Sequence, residues 1–221
     1  MAPKTILSSF QQKFLDILAT DPYITSRFYF TGGTVLSEFY LQHRLSEDFD
    51  LFSEKEVYLP SVSSFLTKIA PKTSIIKMEH RPFLGLHSFM LHLKNGGKFK
   101  IDFNFYPYPR INIGKKYKNL NLDSLYDIAV NKVHTLFMKP RARDYVDLYF
   151  IFKKTEYAWR QLILDAKAKF DWHIDPLLLG SQIKKVEKLT DFPRMLLPFN
   201  QKDMVDFFLK QAKSLEGEIF K

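Results

Sequence analysis

Residues 32–53 read GGTVLSEFYLQHRLSEDFDLFS. A double glycine opens the stretch. Val35, Leu36, Phe39 and Tyr40 then mark one side of a helix, and Asp48 and Asp50 follow in a short apolar run that ends at Phe52. The run Phe49 to Phe52 has the character of a strand. In a strand, residues i and i+2 face the same way, with Cα atoms roughly 6.5–7 Å apart. Asp48 and Asp50 can therefore point into one cleft. Glycines at a strand-to-helix turn let backbone N–H groups approach a phosphate, and Gly32, Gly33 and Thr34 can form such a turn. An acid-x-acid spacing alone is weak, because Glu54/Glu56 and Glu216/Glu218 repeat it. The glycines taken alone could simply make a tight turn. The informative feature is the order: strand, Gly-Gly, helix, then a strand carrying two acids.

Upstream, residues 6–20 place Phe10, Phe14, Ile17 and Leu18 at helical spacing, and Asp21-Pro22 ends that helix. Arg27 to Phe30 reads as a short aromatic strand. Downstream, residues 61–70 suggest another helix. Leu86 to Leu93 and Lys98 to Phe105 read as two strands joined by Lys94-Asn95-Gly96-Gly97, a hairpin. In the second of these, Phe99, Ile101, Phe103 and Phe105 share one face, and Lys98, Lys100, Asp102 and Asn104 share the other. Asp102 is thus a candidate third acid. From Leu122 the pattern turns helical, with Leu125, Ile128, Ala129, Val133, Leu136 and Phe137 on one side. Further helices are expected after Pro140 and over 156–169, 175–189 and 201–215. The expected fold is α+β. A mixed sheet flanked by helices fills residues 1–120, and a helical lobe fills residues 121–221, with the boundary after YPYPRINIGKKYKN.

The chain has 221 residues, of which 46% are hydrophobic and 16% aromatic, so it can bury a real core and is not disordered by composition. It contains no Cys, which excludes disulfides, thiolate zinc sites and cysteine nucleophiles. Apolar runs such as Leu148 to Phe152 fall far short of the ~20 residues of a membrane span. The N-terminus MAPKTILSSF has no apolar signal core, and a cytoplasmic location without membrane attachment is expected. The net charge of +9 suits either a lysine-rich solvated surface or a face for a polyanion such as RNA or a nucleotide.

Several single residues stand out. Lys132 falls inside the apolar stripe of its helix, between Ile128 and Ala129. There it must snorkel, pair with an acid or face a cleft. Asp144 and Asp147 lie one helical turn apart. Asp144 could cap the helix and Asp147 could pair with Arg141 or Arg143, or both could serve a site. Arg44 could bind a triphosphate or neutralise the nearby acids, and Ser46 reads as a turn residue. His80, His87, His92, His134 and His173 show no zinc spacing and read as structural. Tyr106, Tyr108, Arg110, Lys115, Lys116 and Lys118 interleave rings with cations, which suits stacking on single-stranded RNA or merely a solvated loop.

The stretch FTGGTVLSEFYLQHRLSEDFDLF resembles the signature of the AbiEii/AbiGii toxin family of bacterial nucleotidyltransferases: a Gly-Gly-Thr turn followed by a His-Arg-x-Ser-x-Asp-x-Asp segment. NKVHTLFMKPRARDYVDLYFI is similar to the family's later lysine helix and its Arg-x-Lys/Arg-Asp-x-x-Asp-Leu motif. The two matches together span residues 30 to 151. The resemblance implies a polymerase-β-like minimal nucleotidyltransferase core with a helical C-terminal lobe. It implies that Gly32, Gly33 and Thr34 hold the triphosphate and that Asp48 and Asp50 bind Mg²⁺, with Asp102 where the third acid is expected. It further implies that Lys132 contacts the nucleotide phosphates and that Arg141, Asp144 and Asp147 line the same cleft. Arg44 is read as a nucleotide contact. The roles of Asp144 and Asp147 stay open between base, metal shell and orienting partner. Two Mg²⁺ ions about 3.5–4 Å apart would clamp the attacking and leaving oxygens. The implied reaction transfers NMP from an NTP to an acceptor hydroxyl such as a tRNA 3′ end. The implied biological role is the toxin of a toxin–antitoxin pair with a separate antitoxin protein. Two rival readings are a transferase that nucleotidylates or phosphorylates a protein or small molecule, and a non-catalytic binding module on the same fold.

Overall fold

The structure, a computed structural model, describes residues 5–215, so Glu216 and Glu218 lie outside the described residues. It forms two compact units. One comprises the chain up to Tyr40 together with Ser46–Ser124. The other comprises Leu41–Leu45 together with the chain from Leu125.

The first unit opens with α1 (Ser9–Leu18). Its start is a capping box. The Ser8 hydroxyl accepts from the N–H of Gln11 (3.3 Å), and the Gln11 side chain accepts from the N–H of Ser8 (2.8 Å). Phe14, Leu15 and Leu18 are fully buried, with Phe10 and Ile17 at the margins of that face. Asp21-Pro22 ends α1 as expected but also begins α2 (Pro22–Arg27). The Asp21 carboxylate accepts from the N–H groups of Tyr23 and Ile24, and Pro22 occupies a first-turn position that needs no donor. The strand expected from Arg27 is therefore shorter: β1 is Tyr29–Thr31. It leads directly into α3 (Gly32–Val35), which widens into a π-helical turn over Leu36–Leu41.

Next come β2 (Phe49–Ser53), α4 (Leu59–Ile69), β3 (Ile75–Phe83), β4 (Leu86–Leu93), β5 (Lys98–Phe105), β6 (Lys116–Tyr117) and β7 (Leu120–Leu122). The described strands form one mixed sheet in the order β3-β4-β5-β2-β1-β7-β6. The β4–β5 hairpin closes as the glycines predict, with the N–H of Gly96 donating to the Leu93 carbonyl and that of Leu93 to Gly97. Strand β3 was not anticipated. It is an edge strand exposed at most positions, so its sequence lacks the alternation that marks a half-buried strand. The short β6 and β7 lie where only a boundary was expected.

Register divides the sheet into two faces. Phe49 pairs with Ile101 and Leu51 with Phe103 across the parallel β2–β5 pair, and Phe30 pairs with Leu51 across β1–β2. All five are fully buried. Phe14 of α1 meets Phe49 at 6.3 Å and Phe99 at 5.3 Å edge-on, so this face is an aromatic core. Full burial of each such ring contributes roughly 1.5–3 kcal/mol. The opposite face carries Tyr29 and Thr31 of β1, Asp50 and Phe52 of β2, Asp102 and Asn104 of β5, and Asn121 of β7.

The second unit holds α5 (Leu125–Met138), α6 (Ala142–Lys154), α7 (Trp159–Phe170), α8 (Pro176–Lys184) and α9 (Gln201–Ser214). Tyr145, Leu148, Leu162, Leu179, Met204 and Phe208 are fully buried in it. The segment Leu41–Leu45 belongs here: the N–H of Leu45 donates to Arg194, and the His43 carbonyl accepts from Leu196. Among the described residues no helix is long and apolar enough to cross a membrane.

Candidate active site

Asp50 is the direct register partner of Asp102 across β2 and β5. Partners across a pair share a face, and their Cα atoms sit about 4.8 Å apart. The third candidate, Asp48, precedes β2 by one residue. Lys100 ties it to the group: its ammonium lies 3.9 Å from Oδ2 of Asp48 and hydrogen-bonds Asp102. Sequence reading placed Lys100 beside Asp102 on one face but gave it no role. A basic residue two positions from a candidate acid on the same strand face was the available signal. Among the described residues no three acidic or His side chains close around one point as a bound ion requires, and the Lys100 ammonium stands between two of the acids. The donor chemistry nonetheless fits a hard divalent cation. It consists of carboxylate oxygens, a cation is already lodged among them, and Oδ1 of Asp102 is buried without a hydrogen-bond partner.

Thr31 and Asp50 are register partners across β1 and β2, so the residue before the glycine turn shares the acids' face. Gly32 has φ +78, and a Cβ there would stand 2.2 Å from Oδ2 of Asp50. The turn thus brings bare backbone against the carboxylate. Thr34, expected to face a phosphate, is fully buried. Its hydroxyl donates to the Asp48 carbonyl and meets the Ser46 hydroxyl at 2.9 Å. It ties the turn to the segment that carries the acids, and Ser46 serves that tie.

In the second unit the later motif forms a buried charge network. Asp147 is fully buried and receives Arg44 in a fork, Nε to Oδ1 at 2.6 Å and Nη2 to Oδ2 at 2.9 Å. It also meets Nε2 of His43 at 2.8 Å and the Lys132 ammonium at 2.7 Å. Lys132 is 13% exposed and also pairs with Asp144 at 2.7 Å. Asp144 accepts from the N–H of Arg141 at 2.9 Å, so it both caps α6 and pairs with the lysine. Arg44 neutralises Asp147, and among the described residues Asp147 pairs with neither Arg141 nor Arg143. Arg141 is 65% exposed, with Nε 4.0 Å from Asp144.

Burial works to raise the Asp147 pKa, but Lys132 and Arg44 outweigh it and hold the carboxyl well below its usual range. Burial works to lower Lys132, and Asp147 and Asp144 outweigh it, so the amine stays charged above its ordinary range. His43 goes the other way: burial outweighs Asp147 and lowers it. Sequence reading quoted His43 within its motif but gave it no partner.

The ring-and-cation stretch resolves into internal pairs. Arg110 lies over the Tyr29 ring at 4.5 Å, Lys115 over Tyr40 at 4.9 Å and Lys118 over Tyr117 at 5.7 Å. Tyr106 and Tyr108 meet at 5.0 Å, and Lys116 is exposed in β6. Of the histidines, His134 stacks on Phe170 at 3.9 Å, His80 stacks on His87 and His92 meets Glu79 at 3.0 Å.

The sheet order, the glycine turn and the acids on neighbouring strands define a nucleotidyltransferase-like α+β fold. Two solved proteins of Helicobacter pylori share it. A candidate nucleotidyltransferase superposes with a TM-score of 0.62 at 16% identity, covering 96% of this chain and 97% of that one. JHP933 superposes with a TM-score of 0.58 at 15% identity, covering 95% and 90%. Among curated proteins no sequence relative is matched. Residues 14–214 match the profile of the family described as nucleotidyl transferase AbiEii toxin, type IV toxin–antitoxin system. The chain belongs to that nucleotidyltransferase family.

Proposed function

We propose that the protein transfers a nucleoside monophosphate from an NTP to the terminal hydroxyl of an RNA, with tRNA 3′ ends as the leading acceptor. The observation that supports this most is the Asp50–Asp102 register pair beside Asp48, set against the turn at Gly32, which has no side chain in the way of the Asp50 carboxylate. In this proposal Asp48, Asp50 and Asp102 hold divalent metal, Mg²⁺ first. When bound, such ions neutralise phosphate charge and favour the ionised acceptor oxygen.

The chain's own residues do the rest. Backbone N–H groups of the Gly32-Gly33-Thr34 turn orient the β- and γ-phosphates. The Asp102 carboxylate, on the same sheet face as Asp50, accepts a hydrogen bond from the acceptor hydroxyl and takes up its proton as the oxygen attacks. The acceptor oxygen then bonds to the α-phosphorus, the bond to the β-phosphate oxygen breaks, and pyrophosphate leaves. Lys132 is the proposed phosphate contact of the helical unit, held charged by Asp144 and Asp147, with exposed Arg141 as a second. Arg44 acts through Asp147. Catalysis by positioning and fixed charge suits this set.

The core up to residue 120 is proposed to carry the chemistry and the helices from 121 to complete substrate binding. A toxin role follows from the family, with a cognate antitoxin protein as partner and the cytoplasm as the place where NTP and tRNA meet. The +9 charge supports a polyanionic acceptor.

Incubation with each α-labelled NTP, total tRNA and Mg²⁺ tests the proposal. Label should move onto tRNA, and an Asp48→Ala protein should leave it on the NTP. Label moving only onto protein would sink the tRNA acceptor.

A further inference from the structure

The face of the sheet that carries Asp50 and Asp102 continues past them. One strand repeat along, Tyr29, Phe52, Asn104 and Asn121 form the next row by register, roughly 6.5–7 Å from the acid row. Beside this row lies a recess of about 150 Å³ whose lining includes Tyr29, Arg27, Lys55, Glu54, Arg110 and Asn121.

Two of its donors lack acceptors. Tyr29 is only 3% exposed, and its hydroxyl makes no hydrogen bond. Nε of Arg110 is also buried without one. Oε1 of Glu54 stands 3.6 Å from that nitrogen, too far for a hydrogen bond. Leaving buried donors unmade costs free energy, and native structures seldom do so without a reason. The guanidinium that carries one of them lies over the Tyr29 ring at 4.5 Å, so its orientation is already set.

The charge of the lining is net positive. Arg27 gives a hydrogen bond only to a backbone carbonyl, that of Glu56 at 2.9 Å, and the Lys55 ammonium makes no ion pair among the described residues. Three cations face one acid. Two idle donors in a cationic recess call for a ligand that supplies several anionic oxygens, and a phosphate does so.

We propose that this recess is a phosphate-binding subsite for the backbone of the acceptor RNA, holding the strand one nucleotide's reach from the acid row. It rests on the RNA-acceptor reading above. Contacts of this kind position a strand without reading its sequence.

Fluorescence anisotropy with a short labelled single-stranded RNA, over a range of salt, tests it. Arg110→Ala should weaken binding about tenfold and reduce the slope of log K against log salt by about 0.7, the loss of one phosphate contact. Tyr29→Phe keeps the ring and removes only the idle hydroxyl. It should weaken RNA binding severalfold while the unfolding midpoint stays level or rises, a pairing that a purely structural hydroxyl would not give. NTP affinity should be unchanged in both. If neither variant moves RNA affinity or salt slope, the subsite is overturned. If NTP affinity falls instead, the phosphate is the nucleotide's, and the acceptor assignment is overturned. A wild-type protein that binds no RNA would defeat the RNA-acceptor reading itself. The recess is then judged on inorganic phosphate: a shift of the Arg110 Nε–H resonance, absent in Tyr29→Phe, upholds phosphate binding, and no shift overturns it.

Discussion

Gly32 and Asp50 lie so close that a Cβ on the glycine would stand 2.2 Å from the aspartate's Oδ2. The backbone at Gly32 also has φ +78, where an L side chain costs roughly 1–2 kcal/mol. Gly32→Ala should therefore act in two ways: about 1–2 kcal/mol of lost stability and a displaced Asp50 carboxylate. Since small misplacements cost about 10²-fold, kcat for nucleotide transfer should fall by that order or more. A thermal melt measured beside the rate separates the two effects.

The Asp50–Asp102 pair sets two carboxylates side by side on one face. Asp50→Asn keeps the shape and removes one charge. In wild type, Mg²⁺ should raise the unfolding midpoint, with about 2.7 kcal/mol gained at 100 times the Kd. The Asn protein should lose both that rise and nearly all transfer activity. An undiminished midpoint shift in Asp50→Asn would remove this residue from the proposed metal set.

Lys100 places its ammonium between Asp48 and Asp102, where it competes with any cation the acids would bind. Lys100→Met should tighten divalent-ion binding severalfold, read by calorimetry without nucleotide. Weaker binding would show that the lysine organises the acids rather than opposing the ion.

Asp147 is buried among Arg44, His43 and Lys132. Removing the anion leaves two cations in the interior. Asp147→Ala should cost about 3–5 kcal/mol, measured by urea unfolding. Arg44→Lys should cost less but still destabilise, because a point charge cannot reproduce the fork. An Asp147→Ala protein of unchanged stability would show that water replaces the network.

His43 is held neutral, its pKa lowered from the usual 6.5 chiefly by burial. The unfolded chain then takes up a proton before the folded one does. Stability should be level above about pH 6.5 and fall as pH drops from there towards the lowered folded value. His134, also lowered by burial, acts in the same direction. His43→Gln should flatten part of the decline in midpoint below about pH 6.5, and an unaltered profile would assign the effect elsewhere.

Much of the site was legible because its signals are local. Asp48 and Asp50 announce themselves by strand spacing, Gly32-Gly33 by backbone freedom, and Asp102 by the alternation in Lys98–Phe105 that puts Phe99, Ile101 and Phe103 on the buried side. The β4–β5 hairpin and α4 to α9 were legible for the same reason: periodicity and turn residues act over a few positions. The misses also have physical causes. Strand β3 is an exposed edge without a buried row to impose alternation. Strands β6 and β7 are too short to show a period. Asp21-Pro22 signals a helix start as strongly as a helix stop, and only the burial of Ile24 in α2 added the start to the stop.

By itself the sequence determined the kinds of chemistry available: carboxylates in strand spacing, a glycine turn, no thiols and a cationic surface. It also determined the place of most helices and of β2, β4 and β5, because hydrophobic period and capping are properties of neighbours in the chain. Only the tertiary structure decided who meets whom. It set Asp50 beside Asp102 through the pairing of strands about fifty residues apart. It put Lys100 between two acids, and it turned Thr34 and Arg44 inward as ties. Such pairings depend on which buried faces pack together, and that is a property of the whole core rather than of any short segment.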